Sequence, residues 1–239
     1  MTALALPTRD AWRELEARGK ALPEAARQEI VAHWTRAAQM EHASVAAFSR
    51  FSLQLLAVGA PPSLLEAAHH AALDEIKHAE LCFSLATLYA GQGIGPGPLP
   101  VDERALTGWD LQSVAVATVE EGCVGETIAA LEAQAAAALA QDEAVRTVQL
   151  RIYEDESRHA ELAWRFVRWA AQVGGAPVRD ALRDAFEHTI ARFEGVIPLE
   201  SIHEQRLEAH GILSERRKQA LRKQIMSEVI RPALVKLLS

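Results

Sequence analysis

An eight-residue block occurs twice in this chain. Residues 74–81 read Asp-Glu-Ile-Lys-His-Ala-Glu-Leu and residues 155–162 read Asp-Glu-Ser-Arg-His-Ala-Glu-Leu, so six of eight positions are identical and a seventh exchanges one cation for another. A match of this length at an offset of 81 residues implies that the two stretches are structural equivalents. Whatever fold the chain adopts must place them in corresponding positions.

Breaker residues say what those positions are. Pro23, Gly59-Ala60-Pro61-Pro62, the run from Gly91 to Pro100, Gly108, and Gly174-Gly175-Ala176-Pro177 cut the sequence into helix-sized pieces. Four long helices are predicted, over about 23–58, 62–90, 110–140 and 142–173, each roughly 30 residues or 45 Å long. The first and third joints are short and predict two antiparallel hairpins; about 18 residues from Gly91 to Gly108 form the crossover between them. The repeat then falls on helices 2 and 4. Hydrophobic residues make up 49% of the chain but aromatics only 5%, a mix suited to close-packed helices rather than sheets. The expected fold is all-α: a four-helix bundle over 23–173, preceded by an N-terminal helical segment (1–22) and followed by a helical appendage (177–239) with stretches near 178–194 and 214–238.

Charge and hydropathy narrow the function classes. A formal charge of -7 does not suit a general nucleic-acid binder, which needs a basic surface to displace counterions from phosphates. Neither a signal-peptide pattern in Met1–Asp10 nor an apolar run of about 18 residues is present, so no membrane association and a cytoplasmic location are expected. Cys82 and Cys123 are then expected as free thiols.

Within the repeat, Glu75-x-x-His78 and Glu156-x-x-His159 each put a carboxylate and an imidazole on one helix face. One such pair is a common surface pattern; a duplicated pair on equivalent helices reads as two halves of a metal site. One further glutamate is expected from each remaining helix. Glu41 precedes Glu75 by 34 residues across the first hairpin and is the choice on helix 1. On helix 3, Glu121 precedes Glu156 by 35 residues and is preferred, with Glu120 and Glu126 as competitors.

The order Glu, ExxH, Glu, ExxH resembles the ferritin-like diiron-carboxylate superfamily, which includes ribonucleotide reductase small subunits, multicomponent monooxygenases and arylamine oxygenases; the likeness covers about residues 25–173. The resemblance implies two iron ions, with manganese or a mixed pair as alternatives, held by Glu41, Glu75, His78, Glu121, Glu156 and His159. It further implies that Glu75 and Glu156 bridge, that Glu41 and Glu121 are terminal, and that Asp74 and Asp155 accept the second ring N–H of the histidine across the site. Four carboxylates against two divalent ions are formally neutral, which makes burial affordable, and an oxygen and nitrogen donor set without thiolate suits iron or manganese.

Near the cluster, Cys82 follows His78 by one turn and Tyr153 precedes Glu156 by nearly one. Core packing is the commoner role for both; Tyr153 is the candidate catalytic residue, because a tyrosine beside an oxygen-reactive cluster can carry an electron. Phe48, Leu85, Ile128 and Phe166 are expected as an apolar wall. Gly125 leaves room but no hydroxyl, and His188, His203 and His210 lack ligand-like spacing. The expected activity is that of a diiron oxidase or oxygenase whose partners are dioxygen, an organic substrate and an external electron donor. An iron-handling ferroxidase is the alternative, and a homodimer stays open.

Overall fold

A computed structural model of the chain describes residues 6–101, 109–195 and 206–238. Those residues are all-α, with no strand among them. The helices are α1 (Arg9–Ala21), α2 (Glu24–Ala57), α3 (Pro62–Ala90), α4 (Leu111–Thr118), α5 (Thr127–Leu139), α6 (Glu143–Ala191), α7 (Glu215–Ile225) and α8 (Arg231–Leu238); π-helical stretches Val119–Glu126 and Met226–Ile230 join α4 to α5 and α7 to α8.

Local chemistry explains the boundaries. Thr8, Asp110 and Ser214 accept hydrogen bonds from Ala11, Ser113 and Arg217 N–H at the starts of α1, α4 and α7, satisfying donors the helix itself leaves unpaired. Pro62 opens α3 where its missing N–H costs nothing, and Gly91 closes it at φ 70°. Along α6, helical hydrogen bonding continues to Ala191, but Gly175 adopts φ 65°, ψ -151° and Pro177 follows, so the element is two rods meeting at the predicted break. Gly174 beside it lies where an added Cβ would sit 2.2 Å from Val178, so nothing larger fits that bend.

The helix bounds lie close to the predicted ones, with one difference. Helix 3 is not a continuous α-helix: its middle is the π stretch Val119–Glu126, in which hydrogen bonds skip one residue further along the chain and each turn absorbs an extra residue. Thr118 and Thr127 bracket it, their hydroxyls donating to the carbonyls of Val114 and Cys123. The part of the crossover from 102 to 108 and the appended residues 196–205, including His203, lie outside the described residues.

Helices α2 and α3 pack as one hairpin, and α4, the π stretch and α5 pack along α6 as the other; α3 meets α6 between them. The interior separates into two apolar layers. One contains Phe48, Leu55, Leu64, Ile128 and Phe166, the other Ile30, Trp34, Leu85, Tyr89 and Val148. On α2, α3 and α6 the chain passes from one layer to the other at Ala38–Phe48, Ala71–Ala79 and Ile152–Leu162, and Glu41, Asp74, Glu75, His78, Asp155, Glu156 and His159 fall in these intervals. The helices α7 and α8 lie against α5 and α6, and α1 against α3 and α6. Among the described residues no helix is long and apolar enough to cross a membrane. Cys82 and Cys123 are buried free thiols.

Candidate metal centre

Six side chains meet between the two apolar layers. Glu41, Glu75, His78 and Glu156 offer ligand atoms that all lie within 4.8 Å of one another, and so do Glu75, Glu126, Glu156 and His159. Glu75 and Glu156 belong to both groups, so the centre is two overlapping sets of four donors joined by two shared carboxylates.

Helix geometry produces this arrangement. Each ExxH pair sits one turn apart on one helix face, and α3 and α6 bring the two faces together. His78 Nδ1 stands 3.3 Å from Glu156 Oε1, 3.6 Å from Glu75 Oε2 and 3.8 Å from Glu41 Oε2. His159 Nδ1 is 3.1 Å from both Glu75 Oε1 and Glu156 Oε2. Both imidazoles therefore turn Nδ1 inward. Their outward Nε2 atoms meet acids from the opposite helix: Asp155 Oδ2 at 3.0 Å from His78 and Asp74 Oδ2 at 3.4 Å from His159. Arg151 and Arg158 clamp these acids, Arg151 Nε donating to Asp155 at 2.5 Å and Arg158 donating to Asp74 at 3.1 Å and also to Asp155.

The helix-3 contribution differs from the sequence-based choice. Glu121 is not among the clustered residues: it is exposed, pairs with Arg50, and lines a neighbouring cavity. Glu120 is likewise exposed and pairs with Arg192. The residue that reaches the cluster is Glu126, at the end of the π stretch. Counting by the repeat offset assumed that the helix-3 glutamate stands as far from its turn as Glu41 does, 16 residues before Ala57, whereas Glu126 stands three residues nearer its own turn. Distance from the turn carries the missing signal: Glu126 lies 13 residues before Leu139, the end of α5, and Glu156 lies 13 residues after Glu143, the start of α6. Across an antiparallel hairpin, equal distances from the turn mean equal heights.

Tyr153 is half-buried and packs on the apolar layer of Trp34 and Tyr89. Cys82 is fully buried, and the charges of Glu41, Glu75 and Glu156 add to the burial that raises its pKa. Of the expected wall, all four residues are buried, Phe48 standing edge-on to His159 with ring centroids 5.0 Å apart. His210 is engaged elsewhere, its Nδ1 3.0 Å from the Tyr89 hydroxyl.

Burial dominates the electrostatics of the outer two acids. It pushes Glu41 up to about 8 and Glu126 well above the usual carboxylate range, with the charges of Glu156 and Glu75 acting in the same direction. For Glu75 and Glu156 burial has the same sense, but the adjoining imidazoles of His159 and His78 outweigh it and both are held low. Burial works against charge on the imidazoles too, yet their acidic partners win: Asp155 and Glu156 raise His78, and Asp74, Glu156 and Glu75 lift His159 to about 11.

Two buried atoms, Glu75 Oε2 and His78 Nδ1, have no hydrogen-bond partner among the described residues. Both face the interior of the cluster, and an unpaired buried polar atom costs about 1–3 kcal/mol. A cation bonded to these atoms would remove that cost and balance the four carboxylates, so the residues present fit a pair of divalent ions.

A cavity of about 60 Å³ opens beside the Glu126 and His159 side of the centre, walled by Phe48, Phe51 and Leu162. Gly122 and Ala163 bound it where α6 and the π stretch touch; a Cβ on Gly122 would fall 2.6 Å from that of Ala163. No family model matches the chain, and no curated protein or solved structure matches it.

Proposed function

We propose that this chain is a ferritin-like dimetal oxidase or oxygenase that uses two iron ions, with manganese as the alternative, and oxidises an organic substrate with dioxygen. The observation that carries the reading is the pair of four-donor groups sharing Glu75 and Glu156. Bound there, the two ions would supply the electron chemistry toward dioxygen that amino-acid side chains lack.

The chain's own residues have separate tasks. Glu41, Glu75 and His78 with Glu156 would hold one ion, and Glu126 and His159 with the shared glutamates the other. Asp155 and Asp74 hold the Nε2 protons, fixing the tautomer that leaves each Nδ1 lone pair free to coordinate. The two apolar layers keep bulk water from the carboxylates, strengthening every charge interaction among them. The cavity against His159 and Glu126 gives a substrate a place within reach of the centre, and this favours an organic substrate over iron handling alone. Electrons would come from an external donor.

Elemental analysis after anaerobic ferrous loading, followed by measurement of dioxygen uptake with and without an organic substrate and a reductant, tests the proposal. About two irons per chain and uptake that rises with substrate are expected. Uptake that depends on ferrous iron alone would transfer the site to the ferroxidase reading, and failure of the His78→Ala, His159→Ala double variant to lose metal would remove the site altogether.

A further inference from the structure

The cavity beside the centre carries a charge at its edge. Glu121 lines it and is ion-paired to Arg50, which stands on the same stretch of α2 as the lining residues Ala47, Phe48 and Phe51. Arg50 therefore borders the cavity through its pair with Glu121 rather than as a lining residue itself, with 29% of its side chain exposed. Its Nη2 donates to Glu121, whereas its Nε is buried and has no hydrogen-bond partner among the described residues. The desolvation of that N–H is uncompensated, and an acceptor taking the place of Glu121 on this guanidinium would compensate it. Glu121 is 56% exposed, so it can turn into water and yield its place at little cost.

The remainder of the cavity is small and mostly apolar, with Ser44, Gln54 and Thr118 also on its lining. Its wall is Phe48, Phe51 and Leu162, and its floor is set by residues with little side chain, Ala47, Ala117 and Ala163. At the 10–15 Å³ a single water occupies on this scale, 60 Å³ corresponds to roughly five heavy atoms. The inner end meets Glu126 and His159. A ligand complementary to this space is apolar for most of its length and bears one acceptor, and a planar carboxylate matches a guanidinium edge better than a hydroxyl or carbonyl does.

We propose that the cavity binds a short apolar carboxylic acid, its carboxylate on Arg50 and its tail directed inward toward Glu126 and His159. Only the fate of the tail rests on the dimetal reading; the binding itself does not. An amine is the less fitting ligand, since Glu121 is already paired and faces water.

The test is calorimetric titration of the full chain, stripped of metal so that no ion can capture the carboxylate, with straight-chain acids of about two to eight carbons and with alcohols and amines of the same lengths. Acids of about four to six carbons should bind best. Arg50→Gln should weaken acid binding by about tenfold or more while leaving the alcohols unchanged, Arg50→Lys should restore part of the loss, and Ala117→Leu should shorten the longest acid accepted, with helicity by circular dichroism retained in each. Acids that bind no better than alcohols or amines would overturn the proposal, as would equal losses for acids and alcohols in Arg50→Gln or an unchanged length limit in Ala117→Leu. Metal stoichiometry on the same preparations reports on the centre independently, so failure of one reading is distinguishable from failure of the other.

Discussion

Asp155 Oδ2 lies 3.0 Å from Nε2 of His78, a residue 77 positions earlier in the chain. Its repeat counterpart, Asp74, stands 3.4 Å from Nε2 of His159. Each half of the repeat therefore holds the outward ring nitrogen of the other half's imidazole.

Asp155→Asn should weaken metal binding by about 10–100-fold, because an amide can present either its oxygen or its NH₂ and no longer holds one histidine tautomer. Chelator competition measures this. Arg151 and Arg158 also lose a charged partner, so the metal-free variant should unfold at lower urea than the parent.

Glu126→Ala should leave the chain with less than two tightly held ions, whereas Glu121→Ala should bind the full complement. Metal analysis of the two variants after dialysis decides between the two helix-3 glutamates; equal loss in both would contradict the assignment of Glu126.

Metal affinity should rise with pH. Glu41, raised to about 8 by burial, and His159, raised to about 11 by Asp74, Glu156 and Glu75 against the effect of burial, both hold protons at neutral pH in the metal-free chain. Those protons must leave for the donors to coordinate, so binding releases them and is favoured as pH increases. Calorimetry at pH 7 in buffers of different ionisation enthalpy should report net proton release.

His33 should make the fold acid-sensitive. Burial, with the charges of Lys218 and Arg36, lowers it from 6.5 to about 4. A histidine less basic when folded than when unfolded contributes fully above the unfolded value and loses that contribution as pH falls from 6.5 toward 4, since only the unfolded chain gains the proton. In the metal-free protein, His33→Gln should therefore show a flatter decline of urea midpoint over this interval than the parent.

Gly122→Ala should destabilise the chain by about 1–3 kcal/mol, the usual cost of overpacking. The added Cβ meets that of Ala163 at 2.6 Å and Thr118 Cγ2 at 3.3 Å, so the π stretch must move off α6. Thermal unfolding gives the magnitude, and weaker binding of the ion at Glu126 and His159 should accompany it.

Much of this protein is legible without coordinates. The helix boundaries at Pro23, Pro62, Gly91 and Gly175 follow from residues whose backbone chemistry acts within one or two positions, and the two ExxH pairs follow from helical spacing, which is equally local. Glu41 could be chosen because α2 and α3 are uninterrupted and a residue count across one tight turn gives height to within about one helical turn. Three features needed the folded chain. The π stretch that carries both Glu121 and Glu126 depends on how Val119–Glu126 packs against α6, where Gly122 meets Ala163. The packing of Tyr153 on the layer of Trp34 and Tyr89 depends on which neighbour fills each side of α6. The cavity, bordered by the Arg50–Glu121 pair, exists because small residues from α2, α4 and α6 converge on one point. Local propensity and periodicity are written along the chain, residue by residue, whereas register between helices and the space left among them are set by side chains from distant segments packing together, and those are known only once the segments meet.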